Sequence, residues 1–167
     1  MKTIKGDLVE LALDGHFDFI VHGCNCFHTM GAGIARQIAE AFPGETGPAE
    51  VDKRTPYGAR EKLGFFSFAF GPNRVGGTVG VFNAYTQFDL AQHAGDCVVD
   101  YDAVRKVFRT IGAALSLPQV TEEGETRLGV PAIGAGLAGG DWDVISAIIQ
   151  EELDAHGIDW TYVEYAG

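Results

Sequence analysis

Two glycine-rich stretches occupy equivalent places in this sequence: each follows an apolar, β-branched run and each opens into a helical pattern. The first is Gly31-Ala32-Gly33, after the run at 17–21; the second is PAIGAGLAGG at 131–140, after the run at 127–132. A loop of this kind leaves backbone N–H groups free at the start of a helix, where the helix dipole also favours negative charge. Two such loops at the C-terminal ends of strands outline the crevice of an α/β sheet. One loop suffices for a single phosphate, whereas a pyrophosphate with a ribose attached can use both.

Runs rich in β-branched and aromatic residues recur at 17–21, 65–70, 78–84, 127–132 and 160–165, with a weaker one at 1–5. Between them, 33–41 is rich in helix formers. Residues 101–115 place Val104, Val107, Phe108, Ile111 and Leu115 on one stripe, and 142–155 do the same with Ile145, Ile148, Ile149 and Leu153. This alternation predicts a three-layer α/β domain with a hairpin around GPNRVGG at 71–77. Segments 45–61 and 120–125 read as polar loops, and there is no internal repeat.

A chain of 167 residues fits a single domain over 1–167, and a domain of that size buries roughly 70% of the surface its unfolded chain exposes. Its N-terminus lacks the pattern of a secretory leader, and no apolar run approaches the roughly 18 residues of a membrane span, so a cytoplasmic setting without membrane contact is expected. The three cysteines cannot all pair, which favours reduced thiols, and a monomer is expected. The net charge of −11 argues against bulk nucleic acid, because affinity for phosphate backbones comes largely from Lys and Arg. An anionic small ligand would have to rely on backbone N–H groups and helix N-termini.

The stretch VHGCNCFHTMGAGIA at 21–35 admits three chemistries. His22, Cys24, Cys26 and His28 are preferred zinc donors, but on an extended strand His22 and His28 would lie roughly 20 Å apart, and no second donor cluster is visible to complete a set. A catalytic cysteine near a helix start is the second, although small apolar flanks suit an inert buried thiol equally well. The third is an anion-binding loop, which the second glycine-rich stretch favours. In that second loop Asp141 or Asp143 is placed to cap the following helix.

With both loops in hand, the chain resembles the macro domain family, the ADP-ribose-binding α/β/α fold, over essentially its full length. The resemblance is carried by KGDL at 5–8, IVHGCNC at 20–26, MGAGIA at 30–35 and VPAIGAGLAGGDW at 130–142. It implies a mixed, mostly parallel central sheet, no cofactor and no metal. The HxCNC…GAGIA and GAGLxxxxW forms are most similar to the branch holding the ADP-ribose 1''-phosphate phosphatases and the terminal ADP-ribose glutamate hydrolases. Carried over, the pattern implies Asp7 at the adenine amino group, Leu8 and Ile20 as walls of the adenine pocket, and Tyr165 against the adenine face. Gly31, Ala32, Gly33 and Ile34 would line one phosphate and the distal ribose; Gly134, Ala135, Gly136, Leu137 and Ala138 would wrap the other phosphate. Asn25 would hydrogen-bond the distal ribose.

The resemblance also implies a catalytic role for His22, matching a histidine of the yeast-type phosphatases, with His28 as a competing candidate. An imidazole near neutrality can protonate a leaving oxygen or activate water. The lysine and aspartate used by the glutamate-ADP-ribose hydrolases appear here as Gln87 and Ala138; an amide cannot form the covalent adduct and an alanine has no carboxylate, so a lysine-dependent mechanism is not expected. Asp141 is a weaker acid/base candidate. The leading expectation is metal-independent dephosphorylation of ADP-ribose 1''-phosphate. A non-catalytic ADP-ribose reader and a hydrolase of ADP-ribosyl esters, with water positioned by Asn25 and loop amides, are the alternatives.

Overall fold

In the computed structural model, which describes residues 1–118, 120 and 125–167, six strands form one sheet. They are β1 (Lys2–Gly6), β2 (Phe19–Cys24), β3 (Phe66–Pro72), β4 (Thr78–Tyr85), β5 (Leu128–Val130) and β6 (Trp160–Tyr165), in the spatial order β1-β6-β5-β2-β4-β3. Every neighbouring pair is parallel except β3 with β4, which is the expected hairpin. The sheet is therefore mixed and mostly parallel, with β2 central.

Helices cover both faces, as a buried parallel sheet requires. Strand β2 alternates sides: Val21 joins a core with α4 (Tyr101–Leu115) and α5 (Trp142–Asp154), whereas Ile20 joins the core under α1 (Leu8–Leu13) and α2 (Gly33–Ala41). The apolar stripe of α4 is fully committed: Val104, Val107, Phe108 and Ile111 have no solvent exposure. Where this helix meets α5, Glu152 is almost buried and accepts hydrogen bonds from Arg105 and from both Nε and Nη2 of Arg109.

The helical spans expected at 33–41 and 101–115 and the strand at 160–165 match the structure. The segment read as a polar loop at 45–61 instead holds α3 (Pro48–Lys53) and begins a 3-10 turn at Arg60–Lys62. Pro48 starts α3 because its fixed φ suits the first helical position and its missing N–H would be unpaired there anyway. The loop expected at 120–125 falls largely outside the described residues. Among the described residues, no helix is long and apolar enough to cross a membrane.

Candidate functional site

The C-terminal ends of β1, β2, β5 and β6 open on one side of the sheet, and the two glycine-rich loops rise from β2 and β5 there. Loop 25–32 is held by its own polar groups. Asn25 Oδ1 accepts from Phe27 N at 2.8 Å, Asn25 Nδ2 donates to Thr29 O at 3.2 Å, and Cys26 N donates to Phe88 O at 2.9 Å. The second loop closes on itself through Gly140 N to Gly134 O at 2.7 Å and Gly139 N to Gly136 O at 3.0 Å. Gly134 sits at φ +72°, and a Cβ there would lie 2.6 Å from Val99 Cγ2, so both backbone and packing require glycine.

Between the loops lies a chamber of about 330 Å³, lined by Asn25, Gly31, Ala32, Gly33, Ile34, Gly134, Gly136, Leu137 and Ala138 among the residues singled out from the sequence. Cys24, Thr29, Gln87 and Leu90 also line it. A second chamber of about 570 Å³ is lined by Asp7, Leu8, Tyr165, Val163, Arg36, Gln37 and Glu40. Gly33, Ile34 and Pro131 border both, so the two chambers form a continuous crevice across the strand ends. Ala135 and Ile20 do not reach it: Ala135 N is turned to Ala132 O, and Ile20 is fully buried beneath the second chamber's side of the sheet.

The chambers differ in charge. No described residue lining the first carries a formal charge, leaving backbone groups, Asn25, Gln87, Thr29 and the Cys24 thiol as its polar equipment. In the second, Asp7 caps α1, its Oδ1 accepting from Val9 N at 2.9 Å and Glu10 N at 3.0 Å. Its Oδ2 has no protein partner among the described residues. Arg36, the one cation on the second chamber's described lining, is paired with Glu40 at 2.8 Å on the exposed face of α2.

The acid/base candidates stand elsewhere. His22 has no solvent exposure and does not line either chamber; it projects from β2 under α3, where Nε2 lies 2.7 Å from Asn83 Oδ1. Asn83 Nδ2 donates to Pro48 O and Ser67 Oγ, which fixes Oδ1 as the acceptor and His22 Nε2 as the donor. Burial pushes the imidazole pKa down to about 4, against an upward pull from Asn83 and Asp52. His22 is thus a neutral structural donor, which corrects its expected place in the site. Cys24 Sγ lies 3.8 Å from Nδ1 and 3.6 Å from Nε2 of His22, nearly equidistant, so the thiol is off the lone-pair axis of Nδ1. Burial, reinforced by Asp52 and only partly offset by Lys62, pushes the thiol pKa well up. A neutral thiol without an aligned base is no nucleophile.

His28 also departs from expectation. It has φ +56°, uncommon for a residue other than glycine, and its Nε2 donates to Thr55 O at 2.8 Å, anchoring the loop to the turn after α3 instead of lining a chamber. Asp141 is the N-cap of α5, its Oδ1 accepting from Asp143 N at 2.9 Å, as its place at the helix start suggested; it lines neither chamber. Among the described residues no group of three His, Cys, Asp or Glu converges as a metal site.

No known protein-family signature matches the chain. It is 36% identical, over 169 aligned residues spanning 96% of each protein, to the 17.5 kDa protein of the tk-vs intergenic region of Enterobacteria phage T4. Among solved structures, the macrodomain of DarG from Thermus aquaticus superposes with a TM-score of 0.67 at 21% identity, covering 98% of this chain and 96% of that one. The Trypanosoma brucei macrodomain in complex with ADP-ribose superposes with a TM-score of 0.62 at 15% identity, covering 99% of this chain and 63% of that one. At these identities the structural likeness is one of fold.

Proposed function

The chain belongs to the family of the 17.5 kDa phage T4 protein and carries the macrodomain fold, and from that premise we propose that its crevice binds ADP-ribose and hydrolyses the bond at C1'' of the distal ribose. Adenosine occupies the second chamber, with Asp7 Oδ2 accepting from the adenine amino group and Tyr165 against the ring. The diphosphate crosses the border at Gly33 and Ile34, and the distal ribose enters the first chamber. The carrying observation is the junction of the two chambers at the N-terminus of α2, where free N–H groups serve an anion that the net charge of −11 would repel.

The substrate this reading favours is ADP-ribose 1''-phosphate, hydrolysed to ADP-ribose and inorganic phosphate without a metal. With no titratable donor among the described residues of the first chamber except a protonated thiol, the departing group has to be a stable anion that needs no proton from the protein. Phosphate meets that condition. So does a carboxylate, and the uncharged lining, which offers no cation to a phosphate dianion, favours ADP-ribosyl carboxylate esters as a second substrate. Three unpaired cysteines, two of them buried, fit a reducing cytoplasmic setting.

Phosphorus NMR of the chelator-treated monomer with ADP-ribose 1''-phosphate tests the reading. A growing inorganic phosphate signal with an intact pyrophosphate pair is expected. Perturbed substrate signals without new phosphate, followed by no release of ADP-ribose from an ADP-ribosylated carboxylate, would leave a reader that binds and does not cleave.

A further inference from the structure

We propose that Gln87 holds the attacking water in the first chamber, an inference that rests on the hydrolase reading above. Hydrolysis there needs a hydrogen-bond acceptor to orient a water toward C1''. Asn25 is less suited: Phe27 N at 2.8 Å already occupies one of the two lone pairs of its Oδ1, and with Nδ2 donating to Thr29 O the residue keeps one spare Nδ2 hydrogen with which to hold a ribose oxygen. Cys24 is protonated, and Thr29, whose Oγ1 donates to Phe27 O at 3.2 Å, is exposed.

Gln87 has the opposite arrangement. Its Nε2 donates to Asp89 O at 2.8 Å, which identifies that atom as nitrogen and leaves Oε1 with no protein partner among the described residues. The residue follows β4 directly beyond Tyr85 and Thr86; Cys24 of β2 pairs with Tyr85, so the register brings Gln87 level with Cys26, and Gln87 and Asn25 both line the first chamber at the strand ends. Its backbone is fixed by a bridge to Val99 and by Cys26 Sγ to Gln87 O at 3.7 Å. A side chain anchored at its amide nitrogen presents its oxygen with little freedom left, which is the property a water-orienting group needs.

The step balances without a protein base. The water oxygen bonds to C1'' as the C1''–O bond to phosphorus-bearing oxygen breaks, and that bonding pair leaves with the phosphate. One water hydrogen stays on the new C1'' hydroxyl; the other, held by Gln87 Oε1 during attack, passes to the departing phosphate. The products are ADP-ribose and hydrogen phosphate.

The test measures phosphate release from ADP-ribose 1''-phosphate and calorimetric Kd for ADP-ribose in the wild type, Gln87→Met and Gln87→Glu. Methionine keeps the bulk and loses both polar atoms; glutamate keeps the acceptor and loses the donor to Asp89 O. Gln87→Met is expected to lose about 100-fold or more in kcat, the order associated with a misplaced reactant, with Kd within about threefold. Gln87→Glu is expected to stay within about tenfold of wild type near neutrality and to lose activity as pH falls through about 4 to 5, where the carboxylate protonates. In water enriched in oxygen-18 the released phosphate should carry no label. Full activity in Gln87→Met, or Gln87→Glu as inactive as Gln87→Met, overturns the inference, the latter by making the Asp89 contact the residue's only role. Label in the phosphate overturns the C1'' step. A wild type that binds ADP-ribose and releases neither phosphate nor carboxylate refutes the hydrolase reading, and the role of Gln87 falls with it; active wild type with active Gln87→Met sinks Gln87 alone.

Discussion

Acidification should destabilise this protein through His22 before its paired carboxylates titrate. Burial holds the folded imidazole near a pKa of about 4, whereas in the unfolded chain it has its ordinary value of 6.5. As pH falls from 6.5 towards 4, the unfolded state binds a proton that the folded state refuses. Stability that is complete above pH 6.5 is therefore lost across that window, at about 1.4 kcal/mol per unit and about 3 kcal/mol in all. Urea unfolding of wild type and His22→Gln at pH 7, 6, 5 and 4 measures it; glutamine retains a donor for Asn83 Oδ1 but has no proton to take up. Asp18, where burial raises the pKa but Arg127 outweighs it, and Glu152, held low by Arg109 and Arg105, lose stability only as pH falls through the carboxylate range, in both proteins alike. The wild-type slope should exceed that of the variant between pH 6.5 and 4. Equal slopes, or an NMR titration of the His22 ring with a midpoint near 6.5, would refute the placement of this histidine as a buried neutral donor.

Other perturbations separate structure from binding. Asp7→Asn should keep the α1 cap, leaving stability within about 0.5 kcal/mol, while weakening ADP-ribose binding by about 1.5–3 kcal/mol through loss of a charged acceptor; an unchanged Kd by calorimetry would remove Asp7 from the adenine site. Gly134→Ala combines φ +72° with a 2.6 Å approach to Val99 Cγ2, so chemical denaturation should show a loss of about 2–4 kcal/mol, and a neutral result would mean that the loop rearranges freely. Thr86 Oγ1 is a buried hydroxyl with no partner among the described residues; Thr86→Val should raise stability by about 1 kcal/mol by urea unfolding, and a loss would mean that an ordered water satisfies the hydroxyl.

The sequence was most legible where a residue type has one physical use. Glycines at strand-to-helix turns, the apolar stripe of α4 and the aspartate before α5 each announce a backbone or packing need, and the structure uses them in those places. Short elements were harder. The six residues of α1 and of α3 carry less than two turns of periodicity, and the prolines and charges around α3 resemble a loop until tertiary contacts hold it. The polar candidates divided on geometry that a one-dimensional pattern does not contain. Alternation along β2 says that His22 and Cys24 share a face, yet only the packing of α3 shows that this face is closed over His22 while Cys24 reaches the chamber. In the sequence Gln87 stands out only as a missing charge; the freedom of its oxygen depends on the Asp89 carbonyl that holds its nitrogen, a contact no linear pattern contains.

Strands β1 and β6 pair in parallel at one margin of the sheet, with Gly6 opposite Tyr165, so the second chamber joins the two most widely separated strands of the chain. On a ribosome, α2 and its glycine turn are synthesised long before β6 can close beside β1. Contacts of such sequence separation are entropically slow to form. The second chamber is therefore completed late in synthesis, and a nascent chain halted before β6 would hold Asp7 and both glycine-rich loops without the wall that Val163 and Tyr165 supply.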